Sequence, residues 1–488
     1  MKKIYFLLLL NSVISIAQTQ IGSDINGEAA DDWSGWSVSS SSDGSIVAIG
    51  ARNNDGNGAN SGHVRVYQNF SGVWTQVELD INGEAAGDNS GESVSLSSDG
   101  TIVAIGASGN DVNGNNSGHV RVYQNVSGVW TQIGADINGE AASDESGESV
   151  SLSSDGSIVA IGASYSSANG YGSGHVRVYQ NISGVWMQIG ADIDGEANLD
   201  RSGLCISLSS NGTIVAIASP YSDANGEDSG QVRIFQNISG VWTQIGANIN
   251  GETDDVLGSH ISLSSDGSIV AIGVPFSNEN GNNTGHVRVY QNVAGVWTQI
   301  GSNIVGEAAG DRSGYNLSLS SDGSIIAIGA YQNDGNGTSS GHVRMYENVS
   351  GVWTQIGSDI DGETINNYSG YSVSLSSNGS IVAIGAYLNS GNGTSSGHVR
   401  VYDLTAILAS DTFVQSNFLV YPNPSSGIIN ITLENNLQLE KVSVYNQLGQ
   451  LVKTATTNTI NTLELTQGTY YVEVVTNQGK ATKKIIIQ

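Results

Sequence analysis

Residues 92–137 read ESVSLSSDGTIVAIGASGNDVNGNNSGHVRVYQNVSGVWTQIGADI. Short runs rich in Val, Ile, Ser and Tyr alternate with turn signals, among them the pair Asp99-Gly100, a Gly- and Asn-rich loop and the turn VSG. Such runs predict β-strands, and Asp-Gly favours a two-residue hairpin with positive φ at both positions. The stretch therefore predicts four antiparallel strands in a meander.

The same pattern runs through most of the chain. GHVRVY or a close variant begins at residues 62, 118, 174, 230, 285, 341 and 397, at spacings of 55 or 56 residues. Internal repeats of this length are typical of solenoids and propellers. The seventh unit stops after its third strand, and QTQIGSDI at 18–25 matches the missing fourth. The prediction is an all-β, seven-bladed β-propeller over residues 18–404, closed by the N-terminal strand.

The N-terminus predicts export. MKKIYFLLLLNSVISIA at residues 1–17 has two lysines, an apolar run and a small-residue end, as a secretory signal peptide does. No later run approaches the roughly 18 apolar residues of a transmembrane helix, so we expect no transmembrane segment. The single cysteine, Cys205, excludes an intrachain disulfide framework; it lies in a strand, where a buried residue is expected.

The charge is strongly acidic and unevenly placed. The net charge is −28, every Lys lies in the first three residues or after residue 440, and all ten Arg lie between 52 and 400. An acidic exported domain repels nucleic acid and anionic membranes and favours cations or cationic partners. We therefore expect no nucleic-acid partner.

Two glycine motifs suggest a family for the repeat. Six units open with Ser-Gly and most close their second strand with Gly-Ala, as at Gly50-Ala51, while Gly273-Val274-Pro275 comes nearest to Gly-Ala-Pro. The unit resembles the FG-GAP repeat of integrin-type propellers and bacterial surface proteins. The resemblance implies the propeller fold. It carries over no metal site, because the loop that binds calcium in integrins is here the minimal SSDGS turn.

The C-terminal residues 417–488 follow a predicted linker at 405–416 and have a different pattern. Apolar-polar alternation in INITL, KVSVYN and YYVEVV predicts a small Ig-like β-sandwich. The segments YPNP at 421–424, VY at 444–445 and GTYYVEV at 468–474, with Lys483 and Lys484, resemble the type A sorting domain of type IX secretion cargo. The resemblance implies contact with the secretion machinery, a secreted or outer-surface location, and release or attachment to lipopolysaccharide.

A repeated acidic loop offers candidate cation ligands. DINGEAADDWSG at 24–35 has oxygen-bearing side chains at positions 1, 3, 5 and 9, and four units carry the full set. Alternating oxygen ligands suit Ca²⁺. The glycine at position 4 instead favours a plain turn, and both interpretations stay open. The candidate metal residues are Asp24, Asn26, Glu28 and Asp32; Asp80, Asn82, Glu84 and Asp88; Asp136, Asn138, Glu140 and Asp144; and Asp192, Asp194, Glu196 and Asp200.

Other repeated residues predict structural roles. A histidine precedes the third strand in six units and is expected to make a structural hydrogen bond, the arginine two residues later to form a salt bridge, and the Trp of GVW to pack between blades. The histidines are His63, His119, His175, His286, His342 and His398.

Near-identical units offer no unique catalytic constellation, because nucleophile, base and acid are different groups at one point. The few departures from the repeat form no recognisable catalytic set; they are Trp33, Trp36, Cys205, Pro220, His260 and Pro275. We therefore expect no enzyme, but a binding or adhesion scaffold for a surface glycan or protein. The alternatives are a polysaccharide-active enzyme and a structural surface-layer component.

Overall fold

The computed structural model describes residues 18–349, 351–408, 417–434, 437–446, 451–476 and 479–488. The predicted signal peptide lies outside these residues. The chain divides into two compact units, one of them Thr19–Asp403 and the other including Leu404–Gln488. Within the described part, no helix is long and apolar enough to cross a membrane.

The unit Thr19–Asp403 consists of short antiparallel strands. In chain order they are β1 (Thr19–Gln20), β2 (Ile25–Asn26), β3 (Ser37–Ser40), β4 (Ile46–Ala51), β5 (His63–Phe70), β6 (Val73–Gln76), β7 (Ile81–Asn82), β8 (Ser93–Leu96), β9 (Ile102–Ala107), β10 (His119–Val126), β11 (Val129–Gln132), β12 (Ile137–Asn138), β13 (Ser149–Leu152), β14 (Ile158–Ala163), β15 (His175–Ile182), β16 (Val185–Gln188) and β17 (Ile193–Asp194). They continue with β18 (Cys205–Leu208), β19 (Ile214–Ser219), β20 (Gln231–Ile238), β21 (Val241–Gln244), β22 (Ile249–Asn250), β23 (Ile261–Leu263), β24 (Ile269–Val274), β25 (His286–Val293), β26 (Val296–Gln299), β27 (Ile304–Val305), β28 (Asn316–Leu319), β29 (Ile325–Ala330), β30 (His342–Val349), β31 (Val352–Asp361), β32 (Ser372–Leu375), β33 (Ile381–Ala386) and β34 (His398–Asp403).

These strands form seven sheets in the described residues, each in the meander order that the sequence predicts. In the sheet β3-β4-β5-β6, the short strand β7 pairs with the N-terminal end of β5, through His63↔Asn82. The N-terminal strands complete the last sheet: β1 pairs with β34 through Thr19↔Asp403, and β2 pairs with β34 through Ile25↔Val399. The closing strand predicted from residues 18–25 is therefore present.

A circle of backbone hydrogen bonds joins the sheets. The N–H of Ser42 donates to the carbonyl of Ser98 at 2.8 Å, the same bond recurs from unit to unit, and Ser377 donates back to Ser42 at 2.8 Å. The members are Ser42, Ser98, Ser154, Ser210, Ser265, Ser321 and Ser377. Each of these turn amides thus has a partner on the next unit, and the ring is closed.

The predicted two-residue turn between the first two strands of each sheet is wrong in its backbone geometry. Gly44 has φ of +71°, whereas Asp43 is not in the left-handed region. The Asp43 carboxylate accepts the N–H of Ser45 at 2.9 Å, and Gly44 donates to the Ser41 carbonyl at 2.9 Å. Because the Asp side chain caps its own turn, only glycine needs positive φ.

The hydrophobic core lies between neighbouring sheets. Second strands such as β4 are buried along nearly their whole length, and Val47 and Ile49 of β4 pack with Ala383 and Val399 of the preceding sheet. Trp74 donates from its indole nitrogen to the Ile21 carbonyl at 2.8 Å. The packing therefore repeats at each junction between units.

The C-terminal unit is a small two-sheet structure, as predicted. Its strands are β35 (Phe418–Tyr421), β36 (Ile428–Leu433), β37 (Leu439–Asn446), β38 (Leu451–Ala455), β39 (Thr459–Asn461), β40 (Gly468–Thr476) and β41 (Gly479–Ile487). The sheets are β35-β36-β39 and β38-β37-β40-β41, with Phe418, Val442 and Val472 in the core. In the predicted linker, α1 (Thr405–Leu408) is one helical turn; residues 409–416 lie outside the described residues.

Candidate functional site

The four oxygen positions of the acidic loop have separate roles in the structure. Position 9 caps its own loop: the Asp32 carboxylate accepts the N–H of Ala29 at 2.8 Å and is buried. The equivalent carboxylates accept the equivalent amides, at 2.8 to 3.0 Å; they are Asp88, Asp144 and Asp200. These carboxylates are engaged in turn structure.

The residue at position 3 of each loop lies in a two-residue strand, which is β2, β7, β12 or β17 in the four complete units. Asn26 pairs with His398, and the Asn26 carbonyl accepts a hydrogen bond from Arg65 at 2.8 Å. Asn82, Asn138 and Asp194 occupy the same register opposite His63, His119 and His175. Position 3 therefore lies directly opposite the repeated histidine.

Positions 1 and 5 of one loop belong to two different clusters. Asp24 lies with His398 and Glu363, whereas Glu28 lies with His63 and Asp80. Each cluster thus takes its glutamate from the loop that enters a unit, its histidine from the unit's third strand and its aspartate from the loop that leaves. The five clusters are Asp24, Glu363 and His398; Glu28, His63 and Asp80; Glu84, His119 and Asp136; Glu140, His175 and Asp192; and Glu307, His342 and Asp359.

The histidines of these clusters are buried. His63 is 1% exposed, and burial lowers its pKa to about 4. His398 beside Asp24 lowers the pKa of that carboxyl to about 2, against the opposite effect of burial. The expected structural hydrogen bond is made by His175, whose Nδ1 lies 3.0 Å from Ser166 Oγ. In His63, neither ring nitrogen has a hydrogen-bond partner among the described residues.

A second feature lies at the centre of the ring. A cavity of about 730 Å³ is lined by the first strands of all seven sheets. At its edge, which we call the channel mouth, the otherwise similar units differ from one another. The residue after the opening glycine is Trp36, Glu92, Glu148, Leu204, Ser259, Tyr315 or Tyr371, and the residue after the second strand is Arg52, Ser108, Ser164, Pro220, Pro275, Tyr331 or Tyr387.

One side of the channel mouth is aromatic. Trp33 and Trp36 stack with centroids 5.5 Å apart, and Trp36 lies 4.8 Å from Tyr371, which lies 5.2 Å from Tyr315. The contiguous rings from units one, six and seven are Trp33, Trp36, Tyr315, Tyr331, Tyr368, Tyr371 and Tyr387. Most of these rings are half-buried, and together they form one apolar surface bearing hydroxyl groups.

Next to the aromatic surface, the channel mouth carries charge. Arg52 lies 2.5 Å from Glu92 and 4.7 Å from the centre of the Trp36 ring, whose nitrogen donates to Glu92 at 3.2 Å. Burial raises the pKa of Glu148 to about 8, although a hydrogen bond from Ser164 opposes the shift. Glu148 is therefore largely protonated at neutral pH and able to donate a hydrogen bond.

Sequence reasoning missed the channel mouth as a site. Trp33, Trp36, Pro220 and His260 stand out in the sequence as departures from the repeat, yet the folded ring is needed to bring them together. Trp36, Pro220 and His260 line one cavity. The useful signal was the divergence itself, since seven similar units differ where they meet on the axis.

Comparisons with known families agree with the predicted features. The secretion system C-terminal sorting domain matches residues 419–488, and the FG-GAP repeat matches residues 74–123. The predicted family resemblances are confirmed. The sorting domain marks proteins secreted to the cell surface or extracellular space, so this chain is a secreted or surface-displayed protein.

Two solved structures are similar to the chain at low identity. Hydrazine synthase from Kuenenia stuttgartiensis is 11% identical with a TM-score of 0.48, covering 78% of this chain and 96% of that one. A putative 6-phosphogluconolactonase from Bacteroides uniformis is 14% identical with a TM-score of 0.47, covering 68% and 86%. No curated protein matches the chain.

Proposed function

We propose that the propeller is an exported binding protein that recognises a glycan at the channel mouth. The observation that carries this proposal is that seven similar units diverge at their common axis, where a contiguous aromatic surface adjoins carboxylates and an arginine. Sugar rings present C–H faces that pack on aromatic rings, and hydroxyls that hydrogen-bond to carboxylates and guanidinium groups. Concave sites with aromatic walls and a few polar groups are typical of ligand-binding sites.

The residues have separate expected roles. Trp36 and Tyr371 form the surface on which a sugar ring stacks. Glu92, held by Arg52 at 2.5 Å, accepts hydrogen bonds from hydroxyls, while protonated Glu148 donates one. Adhesion follows if the glycan belongs to another cell or to a surface matrix, because the sorting domain delivers the protein outside the cell.

A glycan array probed with the secreted protein tests the proposal. We expect binding to a defined set of oligosaccharides, weakened at least tenfold by Trp36→Ala, since buried aromatic anchors dominate binding energy. Phe70→Ala is the matched control, because Phe70 is 56% exposed in the outer hairpin between β5 and β6. Binding that survives Trp36→Ala, or that Phe70→Ala reduces equally, would contradict the assignment.

A polysaccharide-active enzyme is the second candidate, and one observation favours it. Glu92 and Glu148 line the same cavity, and the Glu148 carboxyl is protonated at neutral pH, as a general acid must be. Incubation of each bound oligosaccharide with the protein separates the two functions. Hydrolysis that Glu148→Gln abolishes establishes the enzyme; binding without products establishes the binding protein.

A further inference from the structure

We propose that the five His–Glu–Asp clusters are sites for a divalent transition-metal ion, with Zn²⁺ as the first candidate. Each site joins the loop that enters a unit to the loop that leaves it. The proposal is independent of the glycan site, since it uses residues on the loops and third strands rather than at the channel mouth.

The distances suit a shared ion better than direct contacts. Within each cluster, the three candidate ligand atoms lie within 4.8 Å of one another. Nδ1 of His63 lies 3.6 Å from Asp80, and Nδ1 of His398 lies 3.6 Å from Asp24 and 3.9 Å from Glu363. These separations are too long for hydrogen bonds. Two ligand atoms bound at about 2.1 Å to one tetrahedral ion are about 3.4 Å apart.

Buried imidazole nitrogens face the clusters without a partner. Among the described residues, Nδ1 has no hydrogen-bond partner in His63, His119, His286, His342 or His398, and all five histidines are at most 1% exposed. In His175, Nδ1 lies 3.0 Å from Ser166 Oγ. Leaving a buried polar atom unpaired costs about 1–3 kcal/mol. An ion bound at Nδ1 removes that cost.

Neighbouring side chains orient the carboxylates toward the histidine. Oδ1 of Asp80 accepts a hydrogen bond from Gln76 at 2.7 Å, which leaves Oδ2 on the side of His63. Gln20, Gln132, Gln188 and Gln355 bind the equivalent aspartates at 2.6 to 2.7 Å. A hydrogen bond to one carboxylate oxygen fixes the orientation of the other oxygen, and such bonds hold metal ligands in place.

The glutamates are shared between an arginine and the cluster. Oε1 of Glu84 lies 3.7 Å from Arg121, while Oε2 lies 3.9 Å from His119. The arginine therefore neutralises one side of the carboxylate and leaves the other oxygen for an ion. Because Asp136 adds a second negative charge to the same cluster, Arg121 and the two carboxylates together carry one net negative charge, which favours a bound cation.

Two units of the same chain provide natural comparisons. In the fourth unit, Gln231 replaces the histidine and Asn248 the aspartate, and the Asn248 amide donates to Glu196 at 3.5 Å. In the fifth, Asn303 replaces the aspartate and donates to Glu279 at 2.8 Å. Where an asparagine replaces the aspartate, its amide therefore donates directly to a carboxylate, and no cation is required to hold the two side chains together.

The donor set changes the metal expected. One imidazole nitrogen and two carboxylate oxygens suit Zn²⁺ and related first-row ions, whereas Ca²⁺ prefers six to eight oxygens. Asp24, Glu28 and their copies remain candidate ligands, although on different sites from the single-loop sets. The repeated histidine is the added ligand.

Isothermal titration of the secreted, chelator-treated protein with ZnCl₂, followed by metal analysis after gel filtration, tests the proposal. We expect about five ions per chain, one for each cluster. His63→Gln, which copies the fourth unit, should reduce this to about four, and so should Asp80→Asn, which copies the same unit at its aspartate. His286→Gln is the matched control and should leave about five, because its cluster already contains Asn303.

Several results would overturn the proposal. The first is that the protein retains no zinc after gel filtration. The second is that neither His63→Gln nor Asp80→Asn lowers the number of bound ions, which would mean adventitious surface zinc only. The third is that His286→Gln loses as many ions as these two variants. Retention of Ca²⁺ in place of zinc would overturn the assigned metal class. Circular dichroism identifies a variant that fails to fold, and the second variant then decides.

Discussion

The outer body of the ring and the channel mouth are made by the same seven units, yet they differ in how closely the units resemble one another. In the outer body, the third-strand arginine donates to a carbonyl of the preceding loop in six units, at 2.7 to 3.0 Å. At the channel mouth, equivalent positions carry Trp36, Glu92, Leu204 and Tyr315. Contacts between neighbours repeat because every junction has the same geometry, whereas residues on the axis face a shared space.

The comparison predicts that repeated residues support stability and divergent residues support binding. The largest expected loss of stability is at Arg65, which is 4% exposed and donates to the Asn26 carbonyl at 2.8 Å. Arg65→Met keeps the aliphatic packing and removes the charged hydrogen bond, so unfolding should require about 2–3 kcal/mol less free energy. Urea unfolding measures the difference.

The control for Arg65→Met is an arginine outside the repeated third-strand set, which stacks on Tyr221 of the cavity lining. Arg201 stacks on Tyr165 and Tyr221 at 4.3 and 4.9 Å, and Arg201→Met should cost less than about 1 kcal/mol. Equal losses in the two variants would remove the distinction between the two regions.

The next effect compares two tryptophans. Trp74 packs on the core between two sheets and donates to the Ile21 carbonyl at 2.8 Å, so Trp74→Ala should lower the free energy of unfolding by about 2 kcal/mol. Trp36 lies at the channel mouth, and Trp36→Ala should cost under about 1 kcal/mol while weakening glycan binding. Thermal unfolding of both variants, with calorimetry, checks the ranking; the reverse order would refute it.

A pH dependence at Glu148 provides a further comparison. Its pKa rises from the ordinary 4.5 to about 8 on folding, because burial favours the neutral acid. The resulting stabilisation is complete below about pH 4.5 and is lost as the pH rises through about 8. Glu148→Gln should therefore gain stability relative to the unmodified protein between pH 5 and 9.

Urea unfolding at pH 5, 7 and 9 measures this trend, and Glu78→Gln, at an exposed side chain, is the control. Parallel pH profiles for the unmodified protein and Glu148→Gln would show that Glu148 does not titrate in this range.

Much of the fold follows from local patterns. The alternation in SVSLS and TIVAIGA predicts the strands, and the match of residues 18–25 to the missing fourth strand predicts how the last sheet is completed. The predicted turn geometry is wrong because the Asp43 carboxylate accepts the N–H of Ser45. The Asp-Gly pair alone does not reveal this competition between side chain and backbone. Turn type depends on which group satisfies each amide.

The site residues divide in a similar way. The sequence identifies Asp24 and Glu28 as candidate ligands, and their spacing within one loop predicts that they share a site. The structure instead places Asp24 in a cluster with His398 and Glu28 in a cluster with His63. The short strands β2 and β7 turn each loop so that its first position lies near the preceding unit's histidine. That rotation depends on pairing between segments far apart in sequence.

By itself, the sequence determined the all-β repeat, the closing strand, the sorting domain and the identity of the acidic and aromatic side chains. Only the tertiary structure decided which of them meet: glutamate with the next loop's aspartate and a buried histidine, and Trp36 with Tyr371 across the closure of the ring. The physical reason is that strand pattern and turn chemistry act over a few residues, whereas the contacts in both sites join different loops and units and exist only once the sheets have packed.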